Sequence, residues 1–354
     1  MFTRLVAAHE KRAEDRIGEI WFQQGEHALA ARQYENAIVS FRKARARDRD
    51  KKEYVLALAS ALESANHNDE ARQALLHIRE IAPENAEINL SLARLAAKRR
   101  DLTEALRYYH NALYGLWNGS RVDEQRRDVR VELVKFLLDQ NQRSRALSEL
   151  LVLDTELPED ATAYENAGEL FLASGDATHA LKDFTRAIHL HRNAPGALAG
   201  AGRAAFATQD YILARHYLQA ANAAQPKSPA TEQLLDLANA VFSKDPLLPR
   251  ISRDERLRRA TEDYDQAIKT LQQCVWQQQI SSQSKAALDP LYAEAVAFQD
   301  RLDAKESTQD PEVIRDAMDL IYRVESAVDQ NCAPVQGPDK ALLLIGRKHL
   351  GTLQ

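Results

Sequence analysis

Turn residues are scarce in this chain: 12 glycines and 11 prolines among 354 residues. That scarcity does not suit a β-sandwich or barrel, which needs a turn after every short strand. Two cysteines, Cys274 and Cys332, stand 58 residues apart, and no Cys-x-x-Cys occurs, so a zinc ribbon or thioredoxin-type motif is excluded. Long apolar runs are missing. Ala341–Ile345, five residues, is among the longest, far short of a membrane span. The opening residues carry Arg4, Glu10, Lys11 and Arg12 without a long hydrophobic stretch, so they do not read as a signal peptide. Excess positive charge is also absent: Lys plus Arg is 47, Asp plus Glu is 52, and the net charge is −5. A general nucleic-acid binder needs the opposite balance to displace counterions from phosphates.

What is abundant is helix-forming: Ala, Leu, Glu, Arg and Gln dominate. Hydrophobic residues at 45% and charged residues at 28% suit a folded rather than a disordered chain. The decisive pattern is self-similarity. Six alanines, Ala37, Ala71, Ala105, Ala146, Ala180 and Ala214, follow one another at steps of 34, 34, 41, 34 and 34. Four residues after each comes a large apolar residue: Phe41, Leu75, Tyr109, Leu150, Phe184 and Leu218. Three further on come Ala44, Ile78, Ala112, Leu153, Ala187 and Ala221. Twelve before each alanine sits Gly25, Ala59, Ala93, Val134, Gly168 or Gly202, small in all but one case. A helix pair that crosses closely needs a small residue on one helix wherever the other is bulky, which is the pairing this spacing provides.

With Trp21, Gly25, Tyr34, Ala37, Phe41 and Ala44 in the first copy, and Tyr164, Gly168, Phe171, Ala180, Phe184 and Ala187 in the fifth, the pattern resembles the tetratricopeptide repeat (TPR) family. The resemblance implies an all-α, right-handed TPR superhelix of about six helix pairs, because a single pair cannot bury both its faces alone. Residues 1–17 read as an N-terminal capping helix, 18–244 as six repeats plus a capping helix, and 245–354 as a C-terminal helical domain. Asp245-Pro246-Leu247-Leu248-Pro249 breaks the period. Ser252 and Glu255 form a capping box opening a helix to about Gln279; further helices are expected over Lys285–Lys305, from Asp310-Pro311, and over Lys340–His349. The linker and the tail from Cys332 are similar to those of a group of uncharacterised bacterial TPR proteins. In that group an N-terminal anchor often precedes the repeats.

Seven additional residues fall in the 41-residue step, around Trp117-Asn118-Gly119-Ser120-Arg121. They read either as a lengthened loop or as a contact element on one face. The cysteines also leave two readings. One is a pair of reduced thiols in a cytosol, favoured by the missing export signal; the other is a single disulfide in an oxidising compartment. The cytoplasm is therefore the default location, with an exported or membrane-tethered chain as the alternative if an anchor is missing.

Chemistry is thin. None of the ten histidines pairs at the i, i+4 spacing of a helical metal site, and no Walker loop or Gly-x-Ser-x-Gly occurs. Gly200-x-Gly202 falls within a helix A rather than after a strand, so it is a packing feature and not a dinucleotide loop. No cofactor, metal site or catalytic residue is expected. The resemblance implies instead that A-helix residues line a binding groove for a protein or peptide ligand. Arg94, Lys98 and Lys135 form a basic cluster there, Leu56, Leu90 and Val131 give apolar contact, and Arg203 belongs to the sixth repeat. An acidic or C-terminal peptide segment would suit that set. Phe22 and Glu26 occupy first-repeat positions where chaperone-tail-binding members carry Lys and Asn, which argues against that ligand. The expected role is a noncatalytic protein-interaction scaffold, or alternatively an accessory subunit of a membrane-tethered or cell-envelope assembly.

Overall fold

The computed structural model describes residues 2–226, 228–276, 281–303 and 311–350. The described residues form seventeen α-helices, and the only extended pairing among them is an isolated parallel bridge between Asn85 and Leu116. The chain divides into two compact units, one of Met1–Pro158 with Ala173–Gly175 and one of Glu159–Leu172 with Asp176–Gln354.

The first unit holds four helix pairs: α1 (Phe2–Ala30) with α2 (Tyr34–Arg47), α3 (Lys52–Ser64) with α4 (Asn68–Ile81), α5 (Ala86–Lys98) with α6 (Leu102–Tyr114), and α7 (Val122–Asp139) with α8 (Arg143–Thr155). The second opens with α9 (Ala161–Ser174) and α10 (Ala177–Leu190), then α11 (Pro195–Ala207) and α12 (Tyr211–Ala224). A lone helix α13 (Pro229–Lys244) follows, and then α14 (Arg253–Val275), α15 (Ser282–Asp303), α16 (Pro311–Asn331) and α17 (Gly337–Leu350).

The period-34 residues are the core. All six repeat alanines are fully buried, and their large partners, Phe41 through Leu218, are at most 3% exposed. The small residues on the A helices are small for a steric reason. A Cβ built on Gly25 would lie 2.5 Å from the Phe41 ring, and one on Gly202 would lie 2.6 Å from Leu218. Each A helix ends on a residue in the left-handed region five positions before the repeat alanine: Arg32, Asn66, Arg100, Asn141, Gly175 and Gln209. There the backbone closes with a six-to-one hydrogen bond, as from the Gln33 N–H to the Ala28 carbonyl at 2.8 Å and from the Asp101 N–H to the Ala96 carbonyl at 3.0 Å. The next residue caps helix B. Asp101, Asp176 and Asp210 accept the N–H of Glu104, His179 and Leu213.

Three expectations change. No break separates residues 1–17 from the first A helix; α1 runs through Gly18 without a cap or proline to stop it. The seven additional residues are not simply a loop. Five of them, 122–126, extend α7 at its N-terminus relative to the other A helices, and the connection 115–121 takes up the rest. That connection is itself structured: the Leu116 N–H donates to the Glu84 carbonyl at 2.7 Å, and the Ala86 N–H donates to the Leu116 carbonyl at 3.1 Å. Third, Cys274 and Cys332 are joined as a disulfide rather than held as thiols. The C-terminal turns of α14 and α16 bring their Cα atoms to 5.9 Å, within the range a disulfide spans.

In the second unit α13–α17 share a core of Tyr264, Leu271, Leu288, Met318, Ile321, Val324 and Leu342, into which Val241 of α13 and Tyr211 of α12 also pack. Ser252 caps α14 through the Glu255 N–H as the capping box implied. Asp310 and the helix ends expected at Gln279 and Lys305 lie outside the described residues. The linker after α13 is held on two sides. Arg256 donates to the carbonyls of Pro246 and Leu248, and Arg259 to those of Phe242 and Asp245. From α17, His349 Nε2 lies 2.9 Å from the fully buried Asp245 carboxylate, with Lys348 at 3.6 Å. Burial works against ionisation of Asp245, but His349, the Leu247 N–H and Lys348 outweigh it and hold the carboxyl below its ordinary value.

Candidate functional site

The A helices of the third and fourth repeats, α5 and α7, bring most of the sequence-selected residues together within the first unit. Lys98 and Lys135 line a cleft of about 530 Å³ with Arg100, Tyr109, Glu132, Phe136 and Asp139. Leu90, Arg94 and Val131 line an adjoining cleft of about 430 Å³ with Trp117, Val129 and Glu132. Leu56 is half-buried on α3 and lines neither cleft. Arg203 stands on α11 in the second unit, where it is ion-paired with Glu169.

The cluster is less basic than its residues suggest. The Arg94 guanidinium forks onto the Glu132 carboxylate, with Nε to Oε2 at 2.9 Å and Nη2 to Oε1 at 2.5 Å. That hydrogen bond raises the Arg94 pKa despite burial. Lys98 stands 3.7 Å from Glu63 of α3. Burial raises Glu63, and Lys98 and Arg94 oppose the shift. Of the three cations selected from the sequence here, Lys135 has no ion-pair partner among the described residues, and neither has Arg100 beside it in the larger cleft. Tyr109, from α6, sits behind the pair. Burial and the Glu132 charge push its hydroxyl up to about 12, with Arg94 working the other way, so it remains a neutral donor.

Sequence reasoning missed Glu132, Trp117 and Tyr109. Tyr109 reads from its repeat position as a core residue, and it is 3% exposed with its ring centroid 6.0 Å from Phe136. Trp117 belongs to the additional segment. Its indole N–H donates to the Ala112 carbonyl at 2.9 Å, which fixes the ring as a half-buried wall of the smaller cleft. The inserted residues thus supply one of the clefts' aromatic surfaces. Glu132 could have been found by asking which acidic residue stands within reach of Arg94 on the next A helix, but the 41-residue step hides that register.

Two models of the same family match, both described as tetratricopeptide repeat, over residues 28–95 and over 132–197 with 166–229. The array is built of tetratricopeptide repeats. These TPR segments run from the end of α1 into α5 and from within α7 to the start of α13, and the helix pairs along them are those of an all-α solenoid. Curated proteins offer no match. Solved structures do. YrrB, a TPR protein with an unusual peptide-binding site, is 20% identical with a TM-score of 0.44, covering 54% of this chain and 95% of its own. The C-terminal part of a TPR protein from Cytophaga hutchinsonii is 13% identical with a TM-score of 0.49, covering 78% of this chain and 98% of its own. PilW, a type IV pilus biogenesis factor, is 18% identical with a TM-score of 0.44, covering 62% of this chain and 98% of its own. TPR arrays are protein-interaction scaffolds and typically noncatalytic. Among the described residues, no helix is long and apolar enough to cross a membrane.

Proposed function

We propose that this TPR scaffold holds an extended peptide segment of a protein partner along α5 and α7, without catalysing a reaction. An apolar side chain of the partner enters the cleft of Leu90, Trp117 and Val131, and an acidic group meets Lys135 and Lys98. The observation that carries this reading is the pair of adjoining clefts, one in which Leu90, Trp117, Val129 and Val131 supply an apolar wall opposite Arg94, Gln125, Asp128 and Glu132, and the other containing a cation without an ion-pair partner among the described residues. A buried apolar anchor beside a charge-assisted contact gives both affinity and direction to a bound peptide. Arg94 is a positioning residue: its fork onto Glu132 ties α5 to α7 and sets the width of the site.

The test is affinity purification from the native source, comparing the wild-type chain with Lys98→Glu/Lys135→Glu and with Leu90→Glu. Loss of the same partner in both variants is the expected result. A partner list that neither variant changes removes the groove reading.

A second reading rests on a different observation, the Cys274–Cys332 disulfide. Disulfides persist in oxidising compartments, so the bond favours an accessory subunit of an exported or membrane-tethered assembly. Thiol titration of denatured, unreduced protein isolated from its native source under oxygen-free conditions checks it. Two titratable thiols per chain would retire this reading.

A further inference from the structure

The other face of the first two repeats carries a site that the groove does not involve. Arg42, Arg45 and Arg49, the first two on α2, converge with His77 of α4 on a cleft of about 450 Å³. Arg42 is already engaged: its Nη2 donates to both oxygens of Glu70 at 2.6 and 2.7 Å. Arg49 has no ion pair among the described residues. Arg45 is the informative one. Its Nε is buried and has no hydrogen-bond partner.

The next repeat, the other one with arginine at this position, shows how such an arginine can be held. Thirty-four residues on, Arg79 donates from Nε to Asn89 Oδ1 at 3.0 Å and lies 5.3 Å over the Tyr108 ring. Asn89 is fully buried and is fixed by donating to the carbonyls of Pro83 and Asn85, each at 2.8 Å. Moving back by one period turns Asn89 into Val55 and Tyr108 into Ala74. The first repeat therefore keeps the arginine and lacks both of its partners. A guanidinium has five donors and no acceptor, and a buried donor left unmade is costly. With no internal acceptor to hold it, the Arg45 guanidinium lines the cleft, where a small side-chain shift brings its N–H groups onto an acceptor from outside.

We propose that this cleft is a binding site for a phosphomonoester group. Arg45 and Arg49 donate to its oxygens, Arg42 contributes the N–H groups not used on Glu70, and His77 closes the rim. Planar guanidinium forks match phosphate oxygens in geometry as well as charge. The cleft is of the size that takes a small ligand rather than a bare ion, so the phosphoryl group arrives on a larger body such as a phosphorylated side chain.

Isothermal titration of the full chain at low ionic strength tests this, using O-phosphoserine, inorganic phosphate and acetate. Saturable one-site binding of both phosphates is expected, with acetate at least about tenfold weaker. Arg49→Gln, in an exposed connection, should weaken O-phosphoserine about tenfold, the usual scale for one charge-assisted contact. Val55→Asn gives Arg45 the internal acceptor that Arg79 has. With its circular dichroism unchanged, it should weaken binding similarly by competing for the same donor. Lys98→Glu/Lys135→Glu should bind O-phosphoserine as wild type does, which separates this site from the groove. The proposal is overturned by absent saturation, by acetate binding as well as phosphate, by phosphate binding without O-phosphoserine, or by unaltered affinity in both Arg49→Gln and Val55→Asn.

Discussion

Five of the six A helices end on a non-glycine residue with positive φ, between 56° and 64°, and the fifth ends on Gly175 at φ 94°. An L-residue in this region costs about 1–2 kcal/mol, less for asparagine. Asn66 and Asn141 are therefore the mild cases, while Arg32, Arg100 and Gln209 are the expensive ones. Arg100→Gly should stabilise the first unit by up to about 1 kcal/mol, and Gly175→Ala should destabilise by about 1 kcal/mol or more. The urea midpoint at constant slope measures both; a neutral or destabilising Arg100→Gly would show that its side-chain contacts outweigh the backbone term. These ends were not legible as glycine signals, because only one of the six is glycine. What was legible is the core column, since a 34-residue spacing of alanine with a bulky residue four positions on translates directly into close helix crossing. Contacts among charged groups were not legible. Arg94, Lys98 and Lys135 read as a free basic cluster until Glu132 and Glu63 were placed beside two of them.

Between helices, the charge that the packing leaves least satisfied is Glu325 on α16. It is fully buried, and neither carboxylate oxygen has a hydrogen-bond partner. Burial first, then Asp339, Asp263 and Asp329, raise its pKa, Lys244 opposes them, and the balance stands at about 8. Lys244 is itself held 2.8 Å from Asp263, whose own pKa burial raises to about 6 against the lysine's pull. The linkage has a definite sign. A carboxyl with a raised native pKa keeps its proton in the folded state while the unfolded chain loses it. Stability from this group is complete below the ordinary glutamate value near 4.5 and declines as pH rises towards 8. Glu325→Gln keeps the shape and removes the titration. Its stability should match wild type near pH 4.5 and exceed it by a few kcal/mol at pH 9. Chemical denaturation across that range reads the difference, and parallel curves for the two proteins would contradict it. At this same scale the sequence located α14 through its capping box and the linker through its prolines. It left the additional seven residues between a loop and a contact element and did not foresee the longer helix, because Asn118-Gly119 signals a turn, while the helix-forming run from Val122 onwards carries no mark of where an A helix should begin.

For the molecule as a whole, the compact units part at Pro158–Glu159, whereas the sequence suggests a seam at the Asp245 linker, where the period ends. The reason lies in the packing beyond that linker. α13 shares its core with the helices that follow, and Arg256, Arg259, His349 and Lys348 grip the proline-rich linker from two helices, so loss of periodicity does not mean loss of contact. The disulfide belongs to this second unit and closes a loop across 58 residues. By chain entropy a loop of that length restricts the unfolded state by about 4 kcal/mol. Reduction should therefore loosen α14–α17 selectively. Hydrogen exchange with and without a phosphine reductant should show protection falling in 253–350 and holding in 34–155. The same experiment on Cys274→Ser/Cys332→Ser should reproduce the reduced pattern without reductant. Equal loss of protection across both segments would mean that the two units unfold as one, and no loss in either would mean that helix packing alone accounts for the stability of the C-terminal helices.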